Sequence, residues 1–308
     1  MSHGIDRRSM LKASAAIAGI VGLAGAASGA EPAAPPQAKR RPMKKAYFGL
    51  PKGDSLVDRM KILKQAGFDG LQLNLPDTKM PVDQLQAALK ESGLEMEGVC
   101  DSKHWSLHLS DPSESIRKQG LEFLLESIRQ CKALGGGAVL LVPGVVNEKV
   151  SYDDCYKRSQ DEIRKAIPLA SELGVKIAIE NVWNNFALSP LEAARYVDEF
   201  ESPAVGWYFD IGNVIHYGWP EQWIRILGKR IVRIHVKEFD RKKADSAGRY
   251  AGFGTDLLAG SNNWQAIMKA LDDVGYAKEG AWATIEMGGG DLARMTALSQ
   301  NLDKILAM

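Results

Sequence analysis

Ala138-Val-Leu-Leu-Val142, a helical stretch over 151–173, Gly174 and then Val175-Lys-Ile-Ala-Ile179 form one readable unit in the middle of the chain. Both short runs are almost continuously apolar, as strands covered on both faces require; a strand wetted on one side would alternate. A helix between two such strands predicts a βαβ crossover and a parallel sheet. The alternation continues outward in both directions. Strands are predicted at 46–50, 71–75, 94–100, 138–142, 175–180, 204–209, 231–237 and 281–286. Helical periodicity covers 54–66, 81–92, 112–134, 151–173, 189–200, 219–228, 262–274 and 291–306. Asp111-Pro112 and Ser189-Pro190 put a capping side chain before a proline, and Ser189-Pro-Leu-Glu192 has capping-box spacing. Gly67, Gly93, Gly135, Gly174 and Gly275 mark helix ends.

Eight such units predict an α/β fold, a single (β/α)8 TIM barrel over 46–308, at the size usual for that architecture. A doubly wound open sheet is the alternative. It usually carries a Gly-rich phosphate loop after its first strand, and Gly49-Leu-Pro-Lys-Gly53 lacks that pattern.

The 308 residues carry a formal charge of +1, but the distribution is uneven. Residues 1–45 take eight bases and two acids, leaving 31 basic against 36 acidic residues in 46–308. A domain net of −5 excludes a nucleic-acid grip drawn from bulk charge, so no nucleic-acid partner is expected. Cys100, Cys131 and Cys155 are odd in number, lack metal-site spacing and read as reduced structural residues.

Asp6-Arg7-Arg8-Ser9-Met10-Leu11-Lys12 precedes an apolar run from Ala13 to Ala27, and Ser28-Gly29-Ala30 offers small residues for cleavage before Glu31. Residues 1–30 therefore resemble a bacterial twin-arginine export signal. The apolar run is shorter than the roughly 20 residues a membrane span needs, so membrane contact is expected only through this signal. Residues 31–45 begin with a Pro-rich tether and read as a linker. The mature protein is expected to be periplasmic or otherwise exported. Twin-arginine export moves folded proteins, which suits a site whose metal could be mis-selected outside the cytoplasm.

In a barrel of this kind the chemistry sits where each strand stops. Strand five ends Ile177-Ala-Ile-Glu180-Asn181, strand six Trp207-Tyr-Phe-Asp210, strand seven carries Ile234-His235-Val236 and strand eight ends Thr284-Ile-Glu286. Four consecutive strands each present one ligand-type side chain at the same level. Three carboxylates and one imidazole suit one hard divalent ion (manganese, magnesium or cobalt, with zinc possible) better than a structural zinc site. Without a cation the carboxylates would repel one another. The competing reading is that these acids cap the next helix or pair with Lys237 and Arg233. Lys237, beside His235, is read as alternating outward from the cluster.

Ile179-Glu-Asn-Val-Trp-Asn-Asn-Phe186, Phe209-Asp-Ile-Gly-Asn213, Arg233-Ile-His-Val-Lys-Glu-Phe-Asp-Arg241 and Thr284-Ile-Glu286 together resemble the sugar phosphate isomerase/epimerase family with the xylose-isomerase-like barrel. The resemblance covers essentially 46–308 and is strongest to its ketose 3-epimerase and hexulose-phosphate-isomerase-like branches. It implies that Glu180, Asp210, His235 and Glu286 bind one divalent metal, and that Glu180 and Glu286 exchange a proton from opposite sides of the substrate carbon. It also implies that Arg241 contacts substrate oxygens. Two positions depart from the epimerase pattern: Asn213 stands where a histidine is usual, and Phe186 where an acid is usual.

The ligand types imply a mechanism. A cation chelated by a carbonyl and a neighbouring hydroxyl stabilises an enediolate, one carboxylate removes the α-proton, and a group on the other face returns it. Return to the same carbon gives an epimer; return to the neighbouring carbon gives aldose–ketose isomerisation.

Around this cluster His104, Asn213, His216, Arg241 and Trp183 are candidate substrate contacts. His108 reads as a support for the His104 loop, and Phe186 as either an apolar wall or loop packing. The expected partner is a small sugar. Because an exported enzyme rarely meets sugar phosphates, a free ketose, a keto-sugar or an oxidised glycoside is expected. Two further functions fit the same barrel: a metal-dependent lyase cleaving a 3-keto glycoside, and a non-catalytic sugar-binding barrel. Apurinic endonucleases share the fold but rely on several histidines and a basic DNA face; a domain net of −5 and only five histidines in the whole chain argue against them. A homodimer is compatible with the sequence.

Overall fold

A computed structural model describes residues 40–77 and 79–308. The export signal expected at 1–30 and residues 31–39 of the expected linker lie outside the described residues. Eight strands close a barrel in chain order: β1 (Lys44–Phe48), β2 (Gly70–Leu75), β3 (Glu95–Asp101), β4 (Ala138–Leu141), β5 (Lys176–Glu180), β6 (Val205–Asp210), β7 (Ile231–Val236) and β8 (Trp282–Ile285). All neighbours run parallel, and β8 returns to pair with β1. The helices are α1 (Leu56–Gln65), α2 (Val82–Ser92), α3 (Glu114–Ala133), α4 (Tyr152–Leu173), α5 (Pro190–Asp198), α6 (Ile211–Ile215), α7 (Pro220–Leu227), α8 (Arg241–Ala247), α9 (Trp264–Asp273) and α10 (Leu292–Leu306). Among the described residues no helix is long and apolar enough to cross a membrane.

Local chemistry accounts for most boundaries. Ser55, Ser151 and Ser189 each accept a hydrogen bond from the amide three residues on, closing the first turns of α1, α4 and α5. All five glycines expected to end helices have positive φ, from 67° at Gly174 to 91° at Gly67, the left-handed geometry that a chain leaving a helix adopts. Some local features differ from expectation. The end of the expected linker belongs to the barrel: β1 starts at Lys44, and Met43 and Lys45 are buried. The lysines disguised this strand, but Lys45 keeps its charge under cover by donating to Ser299 Oγ at 2.7 Å and to Asp303 at 2.8 Å. Helix α3 begins two residues later than Pro112, because Asp111 caps Ser113 instead and leaves the proline in the preceding turn. Glu192 accepts from Leu188 rather than closing the capping box on Ser189. Helices α6 and α8 were not anticipated; both are short and capped by an aspartate, Asp210 and Asp240.

Two cores follow from the pleat. The larger fills the space between the strands and the helical shell, with Ile177, Ile179, Trp207, Phe209, Ile234 and Ile285 facing outward into it. Their neighbours face the barrel axis, where a small cluster of Cys100, Ala138, Leu140, Ala178 and Tyr208 packs. Beside it, buried Glu97 is ion-paired at 2.6 Å with Arg233, so the barrel floor is polar. All three cysteines are free and buried, consistent with structural thiols.

Candidate metal centre

Strand register brings the four ligand-type side chains to one level. Glu180 is the last residue of β5, Asp210 the last of β6, and His235 lies opposite Asp210 on β7. A slip in the β6–β7 pairing between Trp207 and Tyr208 makes this match; regular continuation from Trp207–Ile231 would have set Asp210 beside Ile234. Glu286 follows β8 directly, its amide bonded to the Val236 carbonyl at 3.1 Å. One ligand atom from each of Glu180, Asp210, His235 and Glu286 lies within 4.8 Å of all the others.

His235 organises the group. Its Nδ1 lies 2.9 Å from Glu180 Oε1 and 3.2 Å from Glu286 Oε2, while its Nε2 lies 2.8 Å from Gln72 Oε1. The ring is stacked on Phe48 and tilted against Tyr208. An amide oxygen at Nε2 keeps a hydrogen there, so a neutral His235 directs the Nδ1 lone pair at the carboxylates. Replacing Gln72 by leucine should therefore weaken Mn²⁺ binding about 10–100-fold, the usual effect of losing a ligand's hydrogen-bond partner. Titration of metal-stripped protein checks this, and an unchanged affinity would show that Gln72 does not orient the ring.

Lys237 is placed otherwise than expected. Residues two apart on a strand share a face, so Arg233, His235 and Lys237 all point into the barrel. The Lys237 ammonium lies 2.9 Å from Asp210 Oδ2 and 2.6 Å from Glu286 Oε2. The competing reading is thus partly realised: Asp210 caps α6 through Asn213 N–H at 2.8 Å and pairs with Lys237, whereas Arg233 goes to Glu97. Convergence of all four side chains is not explained by capping.

Burial and charge pull the titrations apart. Burial would discharge His235, but Glu286 and Glu180 outweigh it and push its pKa up to about 10. Burial raises Asp210 to about 7 against the opposing pull of Lys237, and burial raises Glu180 as well. Glu286 is held well below the usual carboxylate range, because Lys237 and His235 overcome the effect of burial. Asp210 Oδ2 and Glu286 Oε2 are buried without a hydrogen bond of good geometry, despite the nearby ammonium. Buried oxygens with spare lone pairs, an imidazole nitrogen aimed between them and a hard donor set together fit one divalent cation.

The cluster opens into a cavity of about 480 Å³ at the C-terminal mouth of the barrel, lined in part by Glu180, Glu286, Lys237, His104, Trp183 and Asn213. A larger surface cavity of about 700 Å³ lies beside α3; it shares Asn74 and Ser102 but none of the four ligand-type residues. Of the candidate contacts, His104 accepts from Val142 N–H at Nδ1, and burial pushes its pKa down to about 3, so the ring is neutral with its hydrogen on Nε2. His108 supports the loop through the His104 carbonyl. Asn213 lines the cavity while its amide donates to the Asn181 carbonyl, and Trp183 donates to the Asn213 carbonyl. His216 is exposed behind Trp183 and does not line this cavity. Arg241 also lies off the cavity lining: its guanidinium donates to the Ile215 and Gly218 carbonyls and covers Trp219. Phe186 packs among Tyr152, Tyr156 and Tyr196. The cavity also has Phe48, Asn74, Asp101, Trp105, Tyr250 and Phe253 on its walls, none of them singled out as a site residue from sequence.

The description "xylose isomerase-like TIM barrel" matches residues 60–307. The chain belongs to that family. It is 25% identical over 200 residues to L-ribulose-5-phosphate 3-epimerase UlaE of Salmonella typhi, a match covering 61% of this chain and 70% of that protein. Among solved structures, the fold is similar to 3-keto-D-glucoside 4-epimerase YcjR from E. coli (TM-score 0.68, 17% identity, 85% of this chain and 98% of that one). It is also similar to a D-tagatose 3-epimerase-like protein (TM-score 0.71, 19% identity, 86% and 97%). The UlaE and YcjR proteins are named as sugar epimerases, and both solved structures share the barrel seen here.

Proposed function

We propose that this protein is a metal-dependent epimerase or isomerase of a ketose or keto-sugar, with Glu180 and Glu286 exchanging a proton next to the sugar carbonyl. The observation that carries this reading is the convergence of Glu180, Asp210, His235 and Glu286, of which Glu180 and Glu286 line the cavity. A divalent cation held there supplies an electrophile for the negative charge that develops on the substrate oxygens. The two glutamates come from β5 and the end of β8, three strands apart around the ring, and in this reading each serves one face of the substrate carbon. One removes the α-proton; the other returns a proton to the opposite face, which inverts the centre. Neutral His104 offers a hydrogen-bond donor at the cavity wall, and Lys237 offers a fixed positive charge beside Glu286.

Among the described lining residues Lys237 is the one formal cation, and it is engaged by Asp210 and Glu286. That supports an unphosphorylated sugar, the substrate expected if residues 1–30 act as an export signal. The test is a panel of free ketoses and 3-keto-glucosides incubated with Mn²⁺-loaded protein in D₂O and followed by NMR. Deuterium entering the α-carbon with formation of an epimer or isomer is the expected result. Release of an aglycone with no epimer would assign the site to elimination, and no deuterium in any sugar would remove the proton-transfer reading.

A further inference from the structure

Lys237 is held from several sides at a place where packing gives no reason for a charge. Its stem lies against Gly212 in α6, where a Cβ would stand 2.8 Å from Lys237 Cβ, so glycine at that position leaves the stem its room. Asn262 Nδ2 donates to the Lys237 carbonyl at 2.9 Å, and the Phe253 ring lies 5.2 Å from the ammonium. Among the described residues the ion partners of that ammonium are two of the four ligand-type side chains, Asp210 at 2.9 Å and Glu286 at 2.6 Å.

Two features set this contact apart from a structural ion pair. The first is charge. Glu180, Asp210 and Glu286 carry three negative charges when ionised, and a divalent cation among them supplies two positive ones. Lys237 supplies the third, which brings the cluster to neutrality with an uncharged His235. A carboxylate has about four lone-pair sites, so Asp210 and Glu286 can serve an ammonium and a cation together. The second feature is direction. An ammonium has three hydrogens to donate, and two carboxylate partners leave one over. The side chain is 16% exposed, and it lines both the cavity at the metal centre and an adjoining cavity of about 380 Å³ that also holds Glu286. The spare hydrogen thus stands beside Glu286, in the space a substrate would enter.

Resting on the proton-transfer reading above, we infer that Lys237 is a further catalytic residue: its ammonium donates to the substrate oxygen that gains negative charge, and its charge moderates the hold of the three carboxylates on the cation. When one glutamate takes the α-proton, the electron pair of the broken C–H bond moves toward the neighbouring carbonyl oxygen, which the Lys237 ammonium faces. When the other glutamate gives a proton back, that pair forms the new C–H bond. Lys237 keeps its own hydrogens throughout and contributes a hydrogen bond and a fixed charge aimed at the place where charge develops.

The test uses the full chain and two variants. Lys237→Met removes the charge and the donors, whereas Lys237→Gln removes the charge and keeps a donor for the carboxylates. Both should bind Mn²⁺ at least about tenfold more tightly than wild type in calorimetric titrations at about pH 8, because a positive neighbour of the ion is gone. At saturating Mn²⁺ both should take deuterium into an accepted keto-sugar about 10²–10³-fold more slowly, with the loss in kcat and little change in KM. The opposite signs are the signature: a lysine that merely held Asp210 and Glu286 in place would, once lost, weaken ion binding and exchange together. Unchanged or weaker Mn²⁺ binding in both variants, or undiminished exchange in either, overturns the inference. Exchange restored in Lys237→Gln alone would assign the effect to hydrogen bonding by a positioning residue and overturns it as well. Failure of the parent reading looks different. Wild-type protein that exchanges no sugar hydrogen removes the reaction and the part of Lys237 in it, whereas tighter Mn²⁺ binding by the variants would stand as its share of the charge.

Discussion

Glu180→Gln and Glu286→Gln should each lower epimer formation by about 10²–10⁴-fold, the range for losing a positioned acid or base. Glutamine keeps the volume and one oxygen acceptor but cannot take up a proton. Inversion needs both faces served, so either substitution blocks it. Exchange of the α-hydrogen with solvent needs only one face, so each variant should retain deuterium uptake from the side whose glutamate remains. The two variants are therefore expected to be equally poor at inversion and to differ in which epimer of a sugar pair they deuterate. Both must be assayed at saturating Mn²⁺, because the same residues are the proposed ligands of the ion. Inversion at wild-type rates in either variant would show that its glutamate is not an acid or base in the reaction.

Metal affinity should fall steeply as the pH is lowered. In the metal-free protein the pKa of His235 is pushed up to about 10, so over most of the accessible range its ring carries a proton that an incoming cation must displace. Affinity should then drop about tenfold for each unit below pH 10, one proton being released per ion bound. Asp210, raised by burial to about 7, adds a second displaced proton below that pH and steepens the fall. The sign follows from both groups being raised: lower pH favours the proton over the metal at each. Calorimetric titrations of Mn²⁺ at several pH values, in buffers of different ionisation enthalpy, read both the affinity and the protons released. A flat profile between pH 6 and 9 would mean that His235 is not a ligand.

Much of this was legible in the sequence because barrel strands advertise themselves twice. Runs such as Ala138–Leu141 are apolar on both faces, and glycines such as Gly174 stop the helices between them. Glu180, Asp210 and His235 were readable because a charged group at the end of an apolar run has no packing reason to be there, and the strand ends lie at one level of the barrel. Glu286 was readable for the same reason, one residue past β8. The start of β1 was hidden because Lys44 and Lys45 look solvated, although Lys45 is neutralised by Asp303 from the far end of the chain. Partners 258 residues apart leave no local signal. The same holds for Gln72, whose value lies in reaching His235 across the barrel from β2. Lys237 was misplaced through strand parity, which in fact puts it on the face of His235. Arg241 and His216 have the right residue types at suggestive spacings, but α6 and α8, too short to show a period, turn them away from the cavity. Trp105 lies in a loop and Tyr250 in a single short 3-10 turn (Arg249–Phe253), where neither period nor cap says which way a side chain faces.

The decisive measurement is deuterium uptake by a ketose or keto-glucoside that the enzyme accepts, recorded first with metal-stripped protein and again after one equivalent of Mn²⁺ is restored. A cation held by Glu180, Asp210, His235 and Glu286 requires negligible uptake before addition, full uptake at one ion per chain, and no recovery in Asp210→Asn at the same metal concentration. Uptake that proceeds equally well in the stripped protein, or that recovers fully in Asp210→Asn, would contradict it.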